Sequence, residues 1–199
     1  SKDFDHLPSR IGITGSPATG KKSVGIILAK LLNLKFFSIN DFAIDRGFGK
    51  WKGEDFLVDI KSLRGRIDTK DRIVSGHLLP YVIPNRDLDL IYVLRCSPHE
   101  LRKRYESRGY SERKILENIE AEALGIIMGK CLQEYDLRKI AEVDMSRIRN
   151  PKSEAKRMLD IIKGRRKGLS GVVDWLSSAR TPTDLESILL GKNHTLNKT

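Results

Sequence analysis

The chain has 199 residues, of which 39% are hydrophobic and 32% charged, so it reads as one soluble domain, or a domain with an appendage, with ample material for a core. No apolar run approaches the roughly 18 residues of a membrane span, and the polar opening SKDFDHLPSR does not read as a signal peptide. Two cysteines, Cys96 and Cys131, exclude a disulfide framework and point to a reducing compartment, the cytoplasm, while a net charge of +11 admits nucleotide phosphates or RNA as partners, or only a solvated basic surface.

In chain order, Arg10 to Thr14 (RIGIT) predicts a short buried strand, followed at once by a Gly-rich turn. From Lys21 to Leu32 the apolar residues Val24, Ile26, Ile27, Ala29, Leu31 and Leu32 cover a broad helical face. Leu34 to Ile39 (LKFFSI) predicts a second strand, and Asn40-Asp41 the start of a short helix. RGFGKWKGED, with Gly47, Gly49 and Gly53 among charges, reads as a loop; Trp51, beside Lys50 and Lys52, is a candidate mobile contact to a base or partner, but is expected to fold onto the body. FLVDIKSLRGRI is compatible with strand or helix, and a turn into a helix is favoured. Arg72 to His77 and Leu88 to Cys96 predict strands, the second with the unbroken apolar centre of a parallel strand buried on both faces.

SPHE then announces a helix, with Ser97 as N-cap, Pro98 at the first position and Glu100 closing a capping box. A second start at Ser111 opens a long helix through about Glu134. Ile140 to Met145 is the last strand, and Asn150-Pro151 opens a further helix. Lys163 to Gly168 (KGRRKG) reads as a basic hinge, after which a helix capped at Thr181-Pro182 and a disordered tail complete the chain. Strands alternating with helices give a doubly wound α/β domain around a mostly parallel sheet of about five strands. Such sheets bind ligands beyond the carboxyl ends of their strands, where the Gly-rich turn stands.

That turn, Gly15-Ser16-Pro17-Ala18-Thr19-Gly20-Lys21-Lys22-Ser23, nearly spells the phosphate-binding pattern G-x-x-x-x-G-K-[ST]. Gly15 and Gly20 let the backbone curl, amides converge on a phosphate at a helix N-terminus, and Lys21 adds a mobile charge. Lys22 departs from the pattern by standing where the hydroxyl belongs. Adenylate kinases show a similar loop, G-x-P-G-x-G-K-G-T, with the hydroxyl one place later. Pro17 and Ser23 match it; Ala18, in place of the middle glycine, does not.

LRCSPHELRKRYESRGYSERKILENIEAE, together with the loop and IVSGHLLPYV, resembles the archaeal putative adenylate kinases. Their eukaryotic relatives are nuclear adenylate-kinase-like ATPases of small-subunit ribosome assembly. The resemblance runs from about Arg10 to Ile162. It implies a nucleoside monophosphate kinase-like domain over residues 1–163, with a monophosphate region at about 38–59 and a lid at about 107–117. A hinge and helical appendage would then occupy 164–199. It implies ATP held by residues 15 to 23 with Arg104 and Arg108, catalytic roles for Lys21, His77 and Arg108, and Mg²⁺ held in part by Ser23. Asp41 and Arg46 are the candidates for AMP. Arg104 and Arg108 lie four apart, so both guanidiniums can face one way. His77 falls where the family carries Asp-x-His, but Ser75 replaces the acid.

Two functions share such a site. One is reversible phosphoryl transfer from Mg·ATP to AMP, by positioning and electrostatics. The other is an ATPase switch that the resemblance places with a small-subunit ribosomal protein and pre-ribosomal RNA. A P-loop kinase for another small acceptor is a third reading, because the acceptor region conforms least. A monomer is expected.

Overall fold

The computed structural model describes residues 7–147, 150–164, 173–180 and 182–192. Strand β1 (Arg10–Gly15) feeds the Gly-rich turn and helix α1 (Lys21–Leu32), which Asn33 ends in the left-handed conformation. Strand β2 (Lys35–Ser38) and helix α2 (Ile39–Asp45) follow, then strands β3 (Gly49–Lys52) and β4 (Asp55–Val58) and helix α3 (Ile60–Leu63). Strand β5 (Arg72–Ser75), helix α4 (Leu79–Val82) and strand β6 (Leu90–Arg95) lead to helices α5 (Pro98–Ser107), α6 (Glu112–Ala123) and α7 (Ile126–Glu134). Strand β7 (Ile140–Asp144), helix α8 (Pro151–Ile162) and helix α9 (Pro182–Leu190) complete the order.

Strands β2-β5-β1-β6-β7 lie in that order in one sheet, and every pairing within it is parallel. Parallel strands need crossovers, which put helices on both faces and bury the sheet from either side. On one face Ile11, Ile13, Tyr92, Leu94 and Val143 pack beneath Val24 and Leu28 of α1 and Met158 of α8. On the other, Val74, Ile91 and Val93 meet Ile39, Leu79, Met128 and Cys131 from α2, α4 and α7. A third cluster joins Ala18 of the Gly-rich turn to Leu101, Tyr105, Ile115 and Ile119 of α5 and α6. Cys96 and Cys131 are buried in these clusters, and burial pushes both thiols up to about 12.

Four local expectations are corrected. The stretch expected as a loop at 46–55 contains an antiparallel hairpin, with Lys52 opposite Asp55 and Gly53 at φ 60° in the turn. Gly residues among charges masked its strand alternation. Trp51 is not folded onto the body but is 63% exposed on that hairpin. The long helix expected from Ser111 to Glu134 is broken at Gly125, φ 64°, so α6 packs in the third cluster while α7 covers the sheet. At α5, Ser97 does cap Glu100 N–H, but Glu100 turns to Arg104, and the Ser97 N–H donates instead to Ser146 Oγ.

The described part of the C-terminal segment packs on the body. Helix α9 rests on α5 and α6, and Arg102 Nε donates to the Leu190 carbonyl at 2.5 Å. Most of the basic hinge, the cap residue Thr181 and the tail expected to be disordered lie outside the described residues. No described helix is long and apolar enough to cross a membrane.

A glycine inside α1 tests how closely that helix sits. A Cβ at Gly25 would lie 2.5 Å from Phe36 Cε2 and 3.4 Å from Ile13 Cδ1. Helix propensity alone would favour Gly25→Ala by roughly 1 kcal/mol. We expect the opposite sign, a loss of about 1–3 kcal/mol from overpacking, read by chemical denaturation.

Candidate functional site

The loop after β1 is held from outside itself. The Pro17 carbonyl accepts from Tyr105 Oη at 2.8 Å and the Ala18 carbonyl from Arg104 Nη1 at 3.1 Å, both donors on α5. The Ser16 carbonyl accepts from Thr19 Oγ1 and from Lys21 Nζ at 2.7 Å, and the Gly15 carbonyl from Lys21 Nζ at 2.9 Å. Side-chain donors thus take the four carbonyls, and the loop's own amides remain available to an anion at the head of α1. Gly15 has no substitute: a Cβ there would stand 2.3 Å from the Leu94 carbonyl, with φ at 144°. Ala18 takes the left-handed φ of 62° that the missing glycine would adopt freely, at a cost of roughly 1–2 kcal/mol. Its methyl packs in the third cluster, which offsets part of that cost.

A cleft of about 700 Å³ opens beside the loop, within the usual size of small-molecule sites. Pro17, Ala18, Gly20, Lys21, Lys22 and Ser23 form one side of it. Asn40 and Asp41 from α2 and the Trp51–Phe56 pair of the hairpin form another. Ser75 at the end of β5, with Gly76 and His77 just beyond it, closes the floor, and Arg108, Tyr110 and Lys114 lie across from the hairpin. Parallel topology explains the gathering: the tips of β1, β2 and β5 all end at this edge.

Electrostatics differ from group to group. Burial lowers Lys21 to about 7, helped by Arg108 and opposed by the Glu122 carboxylate. His77 is held down to about 4, first by burial and then by the positive charges of Lys21 and Lys114. It is therefore neutral at pH 7, and its Nδ1 lies 3.4 Å from the Asn40 amide nitrogen. Asn40 Oδ1 is buried with no hydrogen-bond partner among the described residues. Lys22 reaches Asp41 at 3.4 Å, but both are largely exposed, so the pair contributes little.

The two sides of the cleft also touch. Arg113 Nη2 lies 3.0 Å from Asp55 Oδ2, Lys114 Nζ lies 2.9 Å from Asp55 Oδ1, and Ser111 Oγ donates to Glu54. Lys114 and Arg113 hold the Asp55 carboxyl below its usual range. This clamp joins Ser111 and the first turn of α6 to the hairpin, and no local sequence pattern signals it. Tyr110 stacks on Tyr105 with ring centroids 5.3 Å apart, tying the turn after α5 to the loop that Tyr105 holds.

Not every candidate residue reaches the cleft. Gly15, Ser16 and Thr19 form the inner layer of the loop, behind its lining residues. Arg104 and Arg108 separate: Arg104 braces the Ala18 and Met145 carbonyls, whereas Arg108, the C-cap of α5, lines the cleft. Arg46, proposed for AMP, is not among the lining residues, and its guanidinium lies 6.0 Å over the Phe42 ring. Beneath the loop stands a buried residue that periodicity did not single out, Glu122, which accepts from Ser16 Oγ at 2.6 Å.

Comparisons with known proteins agree with this architecture. The family described as an AAA domain matches residues 11–125. A curated protein of Thermococcus gammatolerans called "Putative adenylate kinase" is 34% identical over 83% of this chain and 92% of its own length. One of the same name from Methanocaldococcus jannaschii is also 34% identical, over 83% of this chain and 92% of its own. The chain belongs to this archaeal family. Among solved structures, a shikimate kinase from Acinetobacter baumannii in complex with shikimate aligns with a TM-score of 0.52. That alignment is 17% identical over 82% of this chain and 97% of the kinase, and shows the P-loop kinase-like fold. The family names and the fold together support a nucleotide kinase.

Lys21 gives a proton-linked signature. At about pH 8 the free protein holds it mostly neutral, whereas a bound phosphate favours the ammonium. Binding Mg·ATP there should therefore take up close to one proton, with the uptake from Lys21 fading below about pH 6, where it is already charged. Calorimetry in buffers of different ionisation enthalpy measures it, and uptake that does not vary with pH would contradict this role.

Proposed function

We propose that this cleft transfers the γ-phosphoryl group of Mg·ATP to AMP, giving two ADP. The observation that carries the reading is one cleft walled by a phosphate loop on one side and by a hairpin and α2 on the other, with a clamp joining the hairpin to the start of α6. Two ligands can meet there with their reacting oxygens in line. The names carried by the archaeal relatives support the same acceptor.

In this reading the triphosphate lies on the loop amides, and Lys21 leaves the Gly15 and Ser16 carbonyls for its outer phosphates. As the bond from the γ-phosphorus to the β–γ bridging oxygen breaks, an oxygen of the AMP phosphate takes the phosphoryl group. Lys21 and Arg108 neutralise the charge spread over the equatorial oxygens. Mg²⁺ enters as part of the nucleotide substrate and screens the phosphates. The Ser23 hydroxyl and the Asp41 carboxylate both line the cleft and offer the hard oxygen donors such an ion prefers. Neutral His77 contributes hydrogen bonding rather than charge. The Asn40 Oδ1, which lacks a partner among the described residues, suits a donor on the acceptor nucleotide, and Trp51 offers its base an aromatic face.

A second reading is an ATPase switch, in which water takes the place of AMP. The position of Arg46 over Phe42, away from the cleft, favours it, because a monophosphate then loses its expected guanidinium. The net charge of +11 supports a further proposal, that such a switch acts in small-subunit ribosome assembly on a ribosomal protein and pre-ribosomal RNA. Capture from lysate with and without nucleotide tests that role, and recovery of no ribosomal protein under either condition counts against it.

ADP formation from Mg·ATP, with and without AMP, separates transfer from hydrolysis. A large AMP-dependent rate is expected, and a slow rate indifferent to AMP would replace the kinase by the switch. Lys21→Ala should lower that rate by about 100-fold or more while the circular dichroism stays native. Asp55→Asn should weaken the clamp with little change in thermal midpoint and raise the share of ATP hydrolysed without AMP.

A further inference from the structure

Behind the phosphate loop, outside the cleft, the described residues Arg95, Glu122 and Glu142 form a buried charged cluster. Arg95, at the end of β6, donates through Nε to Glu122 Oε1 at 2.8 Å and through Nη1 to Glu142 Oε1 at 2.7 Å. All three residues are at most 5% exposed. Buried carboxylates are costly unless hydrogen-bond donors share their charge.

The C-terminal segment supplies those donors. The Val173 N–H donates to Glu142 Oε2 at 3.2 Å, and the Val173 carbonyl accepts from Arg95 Nη1 at 3.4 Å. The Trp175 indole N–H donates to Glu122 Oε1 at 3.0 Å, with its ring 6.0 Å from the Arg95 guanidinium. Glu122 Oε1 therefore receives Arg95 Nε, the Cys96 N–H at 3.2 Å and Trp175, while Oε2 receives Ser16 of the phosphate loop. One carboxylate joins the loop to the C-terminal segment.

We propose that Glu122 is a positioning residue for ATP, fixing the phosphate loop through Ser16, and that Trp175 sets how firmly Glu122 is held. Removing the indole N–H leaves a buried carboxylate one donor short. The carboxylate then turns toward its remaining donors, and among the described residues the only one reached by Oε2 is the loop hydroxyl. The segment around Val173 and Trp175 thereby influences nucleotide affinity without touching nucleotide. The charge of Glu122 also reaches Lys21, where it favours the ammonium.

This inference rests on ATP binding at the loop, so binding rather than turnover is its test. Mg·ATP is titrated into the full chain, into Trp175→Phe and Ser16→Ala, and into the double variant, with circular dichroism confirming the fold of each. Trp175→Phe keeps an aromatic ring but loses the N–H. It should weaken Mg·ATP binding roughly three- to tenfold, and should have no further effect once Ser16→Ala has cut the link. A merely structural tryptophan would lower thermal stability while leaving the affinity of the folded protein unchanged, which overturns the proposal. So does an undiminished effect of Trp175→Phe in the Ser16→Ala background. A wild-type chain that binds no Mg·ATP overturns the nucleotide reading itself, a result distinct from both.

Discussion

The phosphate loop keeps its shape because side chains from elsewhere in the fold take its carbonyls. Tyr105 and Arg104 reach it from α5, Thr19 and Lys21 from its own helical end, and Glu122 grips the Ser16 hydroxyl from α6. A glycine-rich turn is otherwise the most mobile part of a strand–helix junction, since its residues have the most freedom to lose. Fixing the loop before ligand arrives moves part of that entropic cost into folding. The same contacts fasten α5 and α6 to the sheet edge, so the turn that bears Arg108 inherits its position from the loop.

Two kinds of electrostatic contact share the molecule, and their settings give them different tasks. Arg95 with Glu122 and Glu142 is buried, hydrogen-bonded on nearly every side, and behaves as fixed structure. Losing one partner there would strand a charge in low dielectric. The pairs between Asp55 and Arg113 or Lys114 bridge exposed surfaces, where water competes and salt screens. Contacts of that strength can form and break as ligands come and go. The rigid cluster lies behind the loop, and the labile one joins the hairpin to α6 beside the cleft.

The central sheet was legible because buried parallel strands leave continuous apolar runs, such as IYVL in β6, and because the loop motif fixes a strand before it and a helix after it. The hairpin was not, since its residues alternate between lysine and aromatic side chains within a Gly-rich, charged stretch. Nor was the break at Gly125 legible, because a single glycine inside an amphipathic pattern is compatible with an unbroken helix. At the site, Lys21, Lys22, Ser23, Asp41, His77 and Arg108 were nameable from motif and resemblance, and the fold gathers them around one cleft. Arg104 and Arg108 looked equivalent at four-residue spacing, yet α5 ends at Ser107, and that boundary sends one guanidinium to the loop and the other to the cleft.

By itself the sequence determined the chain's broad architecture and the place of its phosphate loop, because both are written locally, in periodicity and in residues that tolerate unusual backbone angles. Only the tertiary structure decided what stands behind the loop and across from it. Ser16 and Glu122 are 106 residues apart, and Trp175 is 53 residues beyond Glu122. Asp55 and Arg113 are separated by 58. No local pattern encodes such pairs: a buried glutamate on an otherwise polar helix looks like a solvated one until the sheet edge and the C-terminal segment close over it.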